Sequence, residues 1–255
     1  MTLRISLLQH NTLWMQPTQN RQHIEQMLTN MPTSDIVLLP ETFTTGFGDN
    51  MAQCAECPES DTLQWARTIA KQHDTLVVGT WIVNDNGRCY NRMHWVMPSG
   101  EYGYYDKAHL FRISSEARQL SAGTKQTTFE WRGWRIRPSV CYDLRFPTWL
   151  HNRVDTNGEL EYDLLLFSAN WPEARRGAWS TLLRARAIEN LCYVAGCNRV
   201  GVDASEVVYG GNSAIIDFKG QTIVESTNEE IITAELDSEK LQRFRTKCPF
   251  HLDYD

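Results

Sequence analysis

Several features that would quickly assign a function class are missing from this sequence. No apolar run approaches the roughly 20 residues that a membrane-spanning helix needs. The opening stretch MTLRISLLQHNTLW is followed by no small-residue cleavage site, so it is interpreted as a first strand and not as a signal peptide. Basic residues are scattered and the net charge is −6, so we expect neither nucleic acid nor a membrane surface as a partner.

The cysteines do not form the pattern of a disulfide framework. There are seven of them, an odd number, at irregular spacing, and this usage is typical of a reducing compartment. We therefore expect a cytoplasmic protein. Cys54 and Cys57 form a lone C-x-x-C without the second pair that a zinc site would need. Cys89, Cys192 and Cys197 lie in strand-like runs, where a thiol usually serves as a small core residue.

Motifs for cofactors and for a histidine base are also absent. The sequence contains neither G-x-x-x-x-G-K-[ST] nor G-x-G-x-x-G, and no cluster with metal-ligand spacing, so we expect a reaction that needs no cofactor and no metal. None of the seven histidines lies in a motif typical of the partner of a catalytic cysteine, although His109 is close to Lys107. A cysteine nucleophile in this protein would therefore use a carboxylate as its base.

Strand-like and helix-like segments alternate along the chain, without a linker or an internal repeat. Residues 4–10 and 34–41 have the character of buried strands, and the helical spacing over 17–31 completes a βαβ unit. A second helix is predicted over 60–74, after which NDNG and PSGE indicate hairpin turns. Helical crossovers mixed with hairpins predict one α/β domain over 1–255, with mixed sheets packed face to face under outer helices.

The second half of the chain continues this alternation. Single strands are predicted over 102–110 and 192–201, with a helix from Trp179 to Leu191 before the latter. A closing helix is predicted over 237–247.

Three polar residues lie at or near the ends of predicted strands, where α/β proteins place their sites. Glu41 follows the apolar run IVLLP, and a partly buried carboxylate there suits proton transfer; the alternatives are a loop cap or an arginine partner. Lys107 can donate to an oxyanion or be a surface lysine. Cys141 precedes a predicted turn into helix, where backbone N–H groups lower the pKa of a thiol, or it is one more buried thiol.

In their sequence contexts, LLPETFTTGF, YDKAHLF and VCYDLRFP, these three residues resemble the Glu-Lys-Cys triad of the nitrilase, or carbon-nitrogen hydrolase, superfamily. Residues 164–201 and 211–220 look like later blocks of the same superfamily, so the resemblance spans nearly the whole chain. It implies a four-layer α-β-β-α sandwich of two mixed sheets, with 1–255 as a single carbon-nitrogen hydrolase domain. It also implies a homodimer that extends the sandwich.

The resemblance also implies a role for each polar residue. Cys141 would be the nucleophile, Glu41 the base, and Lys107 the positive charge beside the tetrahedral intermediate. Family members often carry a second glutamate after the lysine, and Glu116 is the candidate here. Asp106 is a weaker candidate, because it precedes Lys107 within a strand and its side chain should point away.

Within the superfamily, the motifs look most like those of the omega-amidases, which hydrolyse the terminal amide of 2-oxo dicarboxylic acid monoamides such as 2-oxoglutaramate and 2-oxosuccinamate. The backbone N–H of Tyr142 would then help to hold the oxyanion. Arg145 would bind the free carboxylate of this small-molecule amide, or form an internal ion pair with Asp143. Phe47 and Trp171 would wall the pocket, although core or surface packing explains both aromatics equally well.

Other substrates remain open at this stage. Pro138 and Leu191 differ from the residues common in the superfamily, which puts the substrate subgroup in doubt more than the chemistry. The alternatives are an aliphatic amidase, an N-carbamoyl hydrolase or a nitrilase. A protein that retains the fold as a silent binding module is a further alternative of another class.

Overall fold

Two six-stranded sheets form the centre of the computed structural model, which describes residues 1–156 and 158–253. Strands are numbered along the chain. The first sheet contains β1 (Thr2–Gln9), β2 (Ile36–Leu38), β3 (Leu76–Asp85), β4 (Arg88–Val96), β5 (Tyr102–Asp106) and β14 (Glu230–Asp237). The second contains β6 (Phe129–Trp131), β7 (Trp134–Val140), β8 (Leu164–Ser168), β9 (Tyr193–Cys197), β12 (Ser213–Ile216) and β13 (Thr222–Ser226).

Both sheets are mixed, as predicted. The first has the order β14-β1-β2-β3-β4-β5, in which β1, β2 and β3 are parallel and the other pairs are antiparallel. The second has the order β13-β12-β9-β8-β7-β6, with β7, β8 and β9 parallel. A separate antiparallel ribbon consists of β10 (Val200–Val202) and β11 (Val208–Gly210).

Six α-helices accompany the sheets among the described residues: α1 (Pro17–Leu28), α2 (Asp61–His73), α3 (Glu116–Gln119), α4 (Pro147–Leu150), α5 (Arg176–Glu189) and α6 (Ser238–Lys247). Local sequence explains their ends. Pro17 occupies the first turn of α1, where its missing N–H costs nothing. The Ser60 hydroxyl caps α2 by accepting from the Leu63 N–H, and Asp74 ends it in the left-handed conformation at φ 48°.

The layers follow from the alternation of side chains along the strands. In β2, Ile36 and Leu38 belong to the core between the sheets, whereas Val37 packs with apolar residues of α1 and α2. On the other side, α5 lies so close to β9 that a Cβ on Gly196 would come within 2.8 Å of the Trp179 side chain. The order helix, sheet, sheet, helix confirms the predicted four-layer α-β-β-α sandwich.

Two predicted strands are shorter in the structure. The strand predicted over 102–110 ends at Asp106, because the His109 N–H donates to a carboxylate oxygen of Asp143 instead of to a neighbouring strand. The run 192–201 divides after Cys197, because the Asn198 side chain donates to the carbonyls of Trp171 and Gly211 and turns the chain into β10.

Helix boundaries also differ from the prediction. The first helix, predicted over 17–31, ends at Leu28, and α5 begins at Arg176 instead of Trp179. Cys192 lies just before β9, although it is fully buried as expected of a core thiol. Within residues 1–156 and 158–253, no helix combines the length and the apolar character needed to cross a membrane.

Candidate active site

Each of the three sequence-predicted residues lies just beyond a strand, and the two packed sheets bring these strand ends together. Glu41 follows β2, Lys107 follows β5 directly, and Cys141 follows β7 directly. The strands that precede Glu41 and Lys107 belong to the first sheet, and the strand that precedes Cys141 belongs to the second. The site therefore exists only because the sheets stack with these ends on the same side.

Lys107 is the centre of a buried charge cluster. Its Nζ donates to Glu41 Oε1 at 2.8 Å and to Glu116 Oε1 and Oε2 at 2.8 and 3.0 Å. The Lys107 side chain is 1% exposed, and those of both glutamates are fully buried. The structure thus places Glu116, the predicted second glutamate, against Lys107. We call Glu41, Lys107 and Glu116 the cavity cluster.

Two asparagines that the sequence analysis missed hold this cluster in place. Asn91, in β4, donates from Nδ2 to Glu41 Oε1 at 2.8 Å and to Glu116 Oε1 at 3.1 Å. The Asn170 N–H donates to Glu41 Oε2 at 2.9 Å, and its Nδ2 donates to the Glu41 carbonyl at 2.7 Å. Asn91 lies among other polar residues in the run RCYNRMHWV, so the sequence held no local signal for it. The position two residues after the apolar strand β8 was the signal for Asn170.

The charges of the cluster shift its pKa values in a consistent way. Burial alone lowers the pKa of Lys107, but the two carboxylates beside it raise that pKa above its ordinary value overall. Burial raises the pKa of Glu116 and the charge of Glu41 adds to this, although Lys107 opposes both. One ammonium between two carboxylates leaves the cluster with a surplus negative charge.

Cys141 stands on a sharp turn beneath the cavity. Its φ is 42°, in the left-handed region, and residues 141–145 form a 3-10 turn that leads into α4. Its Sγ lies 3.8 Å from the Asn170 carbonyl. Burial raises the pKa of the Cys141 thiol well above its ordinary value, and the charge of Glu41 contributes. The sequence argument that backbone N–H groups lower this pKa is therefore wrong, because burial and a nearby carboxylate dominate.

Asp143 braces the turn that carries Cys141. Its fully buried carboxylate accepts from the Val140 N–H at 3.0 Å and from the Tyr105 hydroxyl at 2.8 Å. It also accepts from the N–H of His109 at 3.0 Å and lies 2.7 Å from His109 Nδ1. The alternative of an internal ion pair between Arg145 and Asp143 is therefore wrong, because other donors occupy both carboxylate oxygens. His109 contacts Asp143 and stacks on Phe146.

A cavity of about 420 Å³ opens above Cys141, a volume typical of small-molecule sites. The structure brings six of the eight sequence-predicted site residues to its lining: Phe47, Lys107, Cys141, Tyr142, Arg145 and Trp171. Glu41 and Glu116 lie behind Lys107 and contribute no lining surface. The guanidinium of Arg145 lies 5.0 Å over the Trp171 ring.

Asp106 points away from this site. Its carboxylate binds the guanidinium of Arg92 at 2.6 and 3.0 Å, in agreement with the alternation along β5. Within the described part of the chain, no group of three or more histidine, cysteine or acidic side chains is arranged to hold a metal ion. The arrangement around Cys141 offers a thiol, a buried carboxylate and an ammonium, which suffice for acyl transfer.

Comparisons with known proteins identify the family of this chain. The family model described as carbon-nitrogen hydrolase matches residues 4–246. Omega-amidase YafV of Yersinia enterocolitica is 44% identical over 256 residues, covering 100% of this chain and 97% of that protein. The 2-oxoglutaramate amidase of Bacillus subtilis is 35% identical over 250 residues, covering 96% of this chain and 95% of that protein.

A solved structure is similar over the same extent. The crystal structure of XC1258 from Xanthomonas campestris, a CN-hydrolase superfamily protein with an arsenic adduct in its active site, superposes with a TM-score of 0.98. It is 46% identical and covers 100% of this chain and 98% of that one.

Proposed function

This chain belongs to the carbon-nitrogen hydrolase family, and we propose that Cys141, Glu41 and Lys107 carry out its reaction. It is a hydrolase that cleaves the terminal amide of 2-oxo dicarboxylic acid monoamides, the substrate class of its omega-amidase and 2-oxoglutaramate amidase relatives. The observation that supports the assignment of residues is the junction of a thiol, a buried carboxylate and an ammonium under one cavity.

The reaction begins from a protonated thiol, because burial and the charge of Glu41 raise the pKa of Cys141. As Cys141 Sγ attacks the amide carbon, its proton passes to the Glu41 carboxylate. A carbon-sulfur bond forms, and the carbonyl oxygen becomes an oxyanion. The nearby negative charge of Glu41 makes proton transfer concerted with attack more favourable than a thiolate formed in advance.

Lys107 and the backbone N–H of Tyr142 stabilise this oxyanion. Lys107 lines the cavity beside Cys141, and the two carboxylates that raise its pKa favour its charged form. An ammonium in a site shielded from water stabilises a developing negative charge strongly. The two glutamates and Phe47, whose ring centroid is 5.5 Å from Nζ, hold this ammonium in one place.

The second half of the reaction releases the acid. When the tetrahedral intermediate collapses, the carbon-nitrogen bond breaks, and the proton on Glu41 moves to the departing nitrogen, which leaves as ammonia. Glu41 then takes a proton from water, whose oxygen attacks the thioester. The carbon-sulfur bond breaks, and the same proton returns to Cys141 Sγ. Glu116 acts through Lys107 as a positioning residue.

The remaining sequence-predicted residues bind substrate in this proposal. Arg145 binds the free carboxylate of the substrate, and Trp171, under its guanidinium, and Phe47 form walls of the cavity. A guanidinium suits this purpose because it can hold a carboxylate through two parallel hydrogen bonds.

The test is ammonia release from a panel of 2-oxosuccinamate, 2-oxoglutaramate, glutamine, asparagine, a simple aliphatic amide and a nitrile. We expect turnover of the 2-oxo amides, and a loss of at least about 1,000-fold in the Cys141→Ala variant, because nothing else in the site can form the thioester. The variant should unfold at the same temperature as the wild type. Undiminished ammonia release by Cys141→Ala would exclude Cys141 as the nucleophile. Turnover confined to a panel member other than the 2-oxo amides would exclude the proposed substrate class.

We also propose a cytoplasmic homodimer. The family resemblance supports the dimer, and the seven free thiols support a reducing compartment. The molar mass in solution, measured by light scattering, tests the first point. A value near twice 29.4 kDa is expected, and the mass of a single chain would contradict it.

A further inference from the structure

A second guanidinium lines the cavity, at a position to which the family motifs assign no role. Arg175 follows the segment of Trp171 and precedes α5, and its side chain is exposed at the lining. Its guanidinium lies 5.3 Å over the ring of Phe111, which contacts Tyr142 edge-on at 5.0 Å. Arg175 therefore stands on the aromatic wall that adjoins the nucleophile.

Arg145 and Arg175 both contact the same aromatic residue, Trp171. Arg145 lies over the ring of Trp171, and the Trp171 indole N–H donates to the Arg175 carbonyl at 2.9 Å. Neither guanidinium forms an ion pair with a carboxylate among residues 1–156 and 158–253, although each rests on an aromatic face. Both cations therefore keep their hydrogen-bond donors available for a ligand.

Three other charged side chains line the cavity, and two of them already form hydrogen bonds or ion pairs within the protein. Lys107 is held by its two glutamates. Asp203 accepts from the N–H groups of Ser205 and Val207 and from the Tyr209 hydroxyl. Asp49 is the only other acid among the lining residues. Arg145 and Arg175 are therefore the cations of this lining whose donors are not taken up by a carboxylate of the described residues, and they are the groups that can bind an anionic part of a ligand.

We propose that Arg175 acts with Arg145 as a specificity-determining residue, binding the carboxylate and the adjacent 2-oxo oxygen of the substrate and thereby rejecting 2-amino acid amides. This inference rests on the proposed function and adds a second contact to the same site. A 2-oxo oxygen accepts hydrogen bonds, so it matches a guanidinium, which only donates. An α-ammonium also only donates, so it meets no acceptor there and adds a like charge close to a guanidinium.

The test compares three substrates of one chain length: 2-oxoglutaramate, glutamine and pentanamide, which has neither the carboxylate nor the oxo group. In Arg175→Gln we expect kcat/KM for 2-oxoglutaramate to fall about 10- to 100-fold, mainly through KM, the loss typical of a hydrogen bond to a charged group. Turnover of pentanamide should be unchanged, so the preference for 2-oxoglutaramate over glutamine should shrink. Arg175→Lys should restore part of the loss, since it keeps the charge without the planar fork.

Arg176→Gln is the matched control. Arg176 is the next residue, is exposed, and forms an ion pair with Glu173 at 3.0 Å outside the cavity lining. We expect this variant to match the wild type on all three substrates. An equal loss in Arg176→Gln would mean that Arg175→Gln acts through the start of α5, which would overturn the proposal.

Binding without turnover separates the possible failures. In the Cys141→Ala background, Arg175→Gln should weaken calorimetric binding of 2-oxoglutarate, the product, at least about tenfold. Equal losses of kcat/KM for 2-oxoglutaramate and pentanamide in Arg175→Gln, or unchanged binding of 2-oxoglutarate, would overturn the role of Arg175. The proposed function would stand in that case, provided that the wild type hydrolyses 2-oxo amides. A wild type that hydrolyses only pentanamide or glutamine would overturn the proposed function, and this inference with it.

Discussion

Two largely buried clusters of ionised side chains in the described part of the chain carry opposite surpluses of charge. The cavity cluster places one ammonium between two carboxylates. The second, which we call the sheet-end cluster, consists of Asp163, Arg135 and Arg245, and it places one carboxylate between two guanidinium groups. Asp163 Oδ1 lies 2.9 Å from Arg135 and 2.5 Å from Arg245.

The pKa of Glu116 in the cavity cluster and the pKa of Asp163 in the sheet-end cluster shift in opposite directions, although burial alone raises both. Burial raises the pKa of Glu116, and Glu41 adds to it, so this carboxyl holds its proton more tightly than usual. Burial also raises the pKa of Asp163, but the two arginines lower it below its ordinary value overall. The sign of the surplus charge, more than burial, decides whether a buried carboxyl exchanges protons or remains ionised. The first arrangement suits catalysis and the second suits stability.

Removing the central charge of the cavity cluster should have the largest effect. In Lys107→Met we expect turnover to fall at least about 1,000-fold, because the oxyanion loses its main stabilising charge. The free energy of unfolding at neutral pH should fall by about 3–5 kcal/mol, since two buried carboxylates lose the ammonium between them. Ammonia release and urea unfolding measure these effects. Lys125→Met, at an exposed lysine outside the active-site cavity, should change neither, and a Lys107→Met enzyme with normal turnover would contradict the proposed role.

Removing the central charge of the sheet-end cluster should affect stability alone. In Asp163→Asn we expect the free energy of unfolding to fall by about 3 kcal/mol, because two guanidinium groups lose their shared carboxylate in a largely buried place. Turnover of the folded protein should be unchanged, since none of the three residues lines the active-site cavity. Glu130→Gln, at the exposed residue opposite Arg135 in the β6–β7 pair, is the control. A comparable loss of turnover would show that the two clusters are coupled.

The smallest expected effect is on the dependence of stability on pH, where the two clusters should contribute with opposite signs. Asp163 has a lowered folded pKa, so its contribution is complete above its ordinary value of 3.8 and is lost as pH falls through the lowered value. Glu116 has a raised folded pKa, so it destabilises the protein as pH rises from its ordinary value of 4.5 through the raised value.

Urea midpoints measured from acid to neutral pH separate these two contributions. Asp163→Asn should flatten the acid end of the profile, and Glu116→Gln should flatten the part above pH 4.5. Each variant should leave the other part of the curve as in the wild type. A profile in which both substitutions act over the same interval would contradict the assignment of opposite shifts.

Much of the fold was predictable because it depends on short-range patterns. Apolar runs and turn signals identified most strands, and helical spacing of apolar residues identified α1 and α2. The predicted strand over 102–110 was too long because the Asp143 carboxylate captures the His109 N–H, a contact between residues 34 positions apart. No local pattern contains that information.

The residues of the site divide along the same line. Glu41, Lys107 and Cys141 were visible in the sequence because each is a reactive side chain at or near the end of a predicted strand and inside a motif that resembles the superfamily. Asn91 and Asn170 were not visible, because the role of an asparagine side chain depends on which group it hydrogen-bonds in the folded protein. Asn170 binds Glu41 across 129 positions of the chain.

The sequence by itself determined the layers, the placement of Glu41 and Cys141 at strand ends and the family to which the chain belongs, because periodicity and local motifs act over a few neighbouring residues. Only the tertiary structure decided the electrostatics. Stacking the sheets buried Lys107 between Glu41 and Glu116, raised the pKa of Cys141 and left Arg145 without the partner Asp143. Coulombic interactions depend on the distance between charges and on their exposure to water, and folding fixes both.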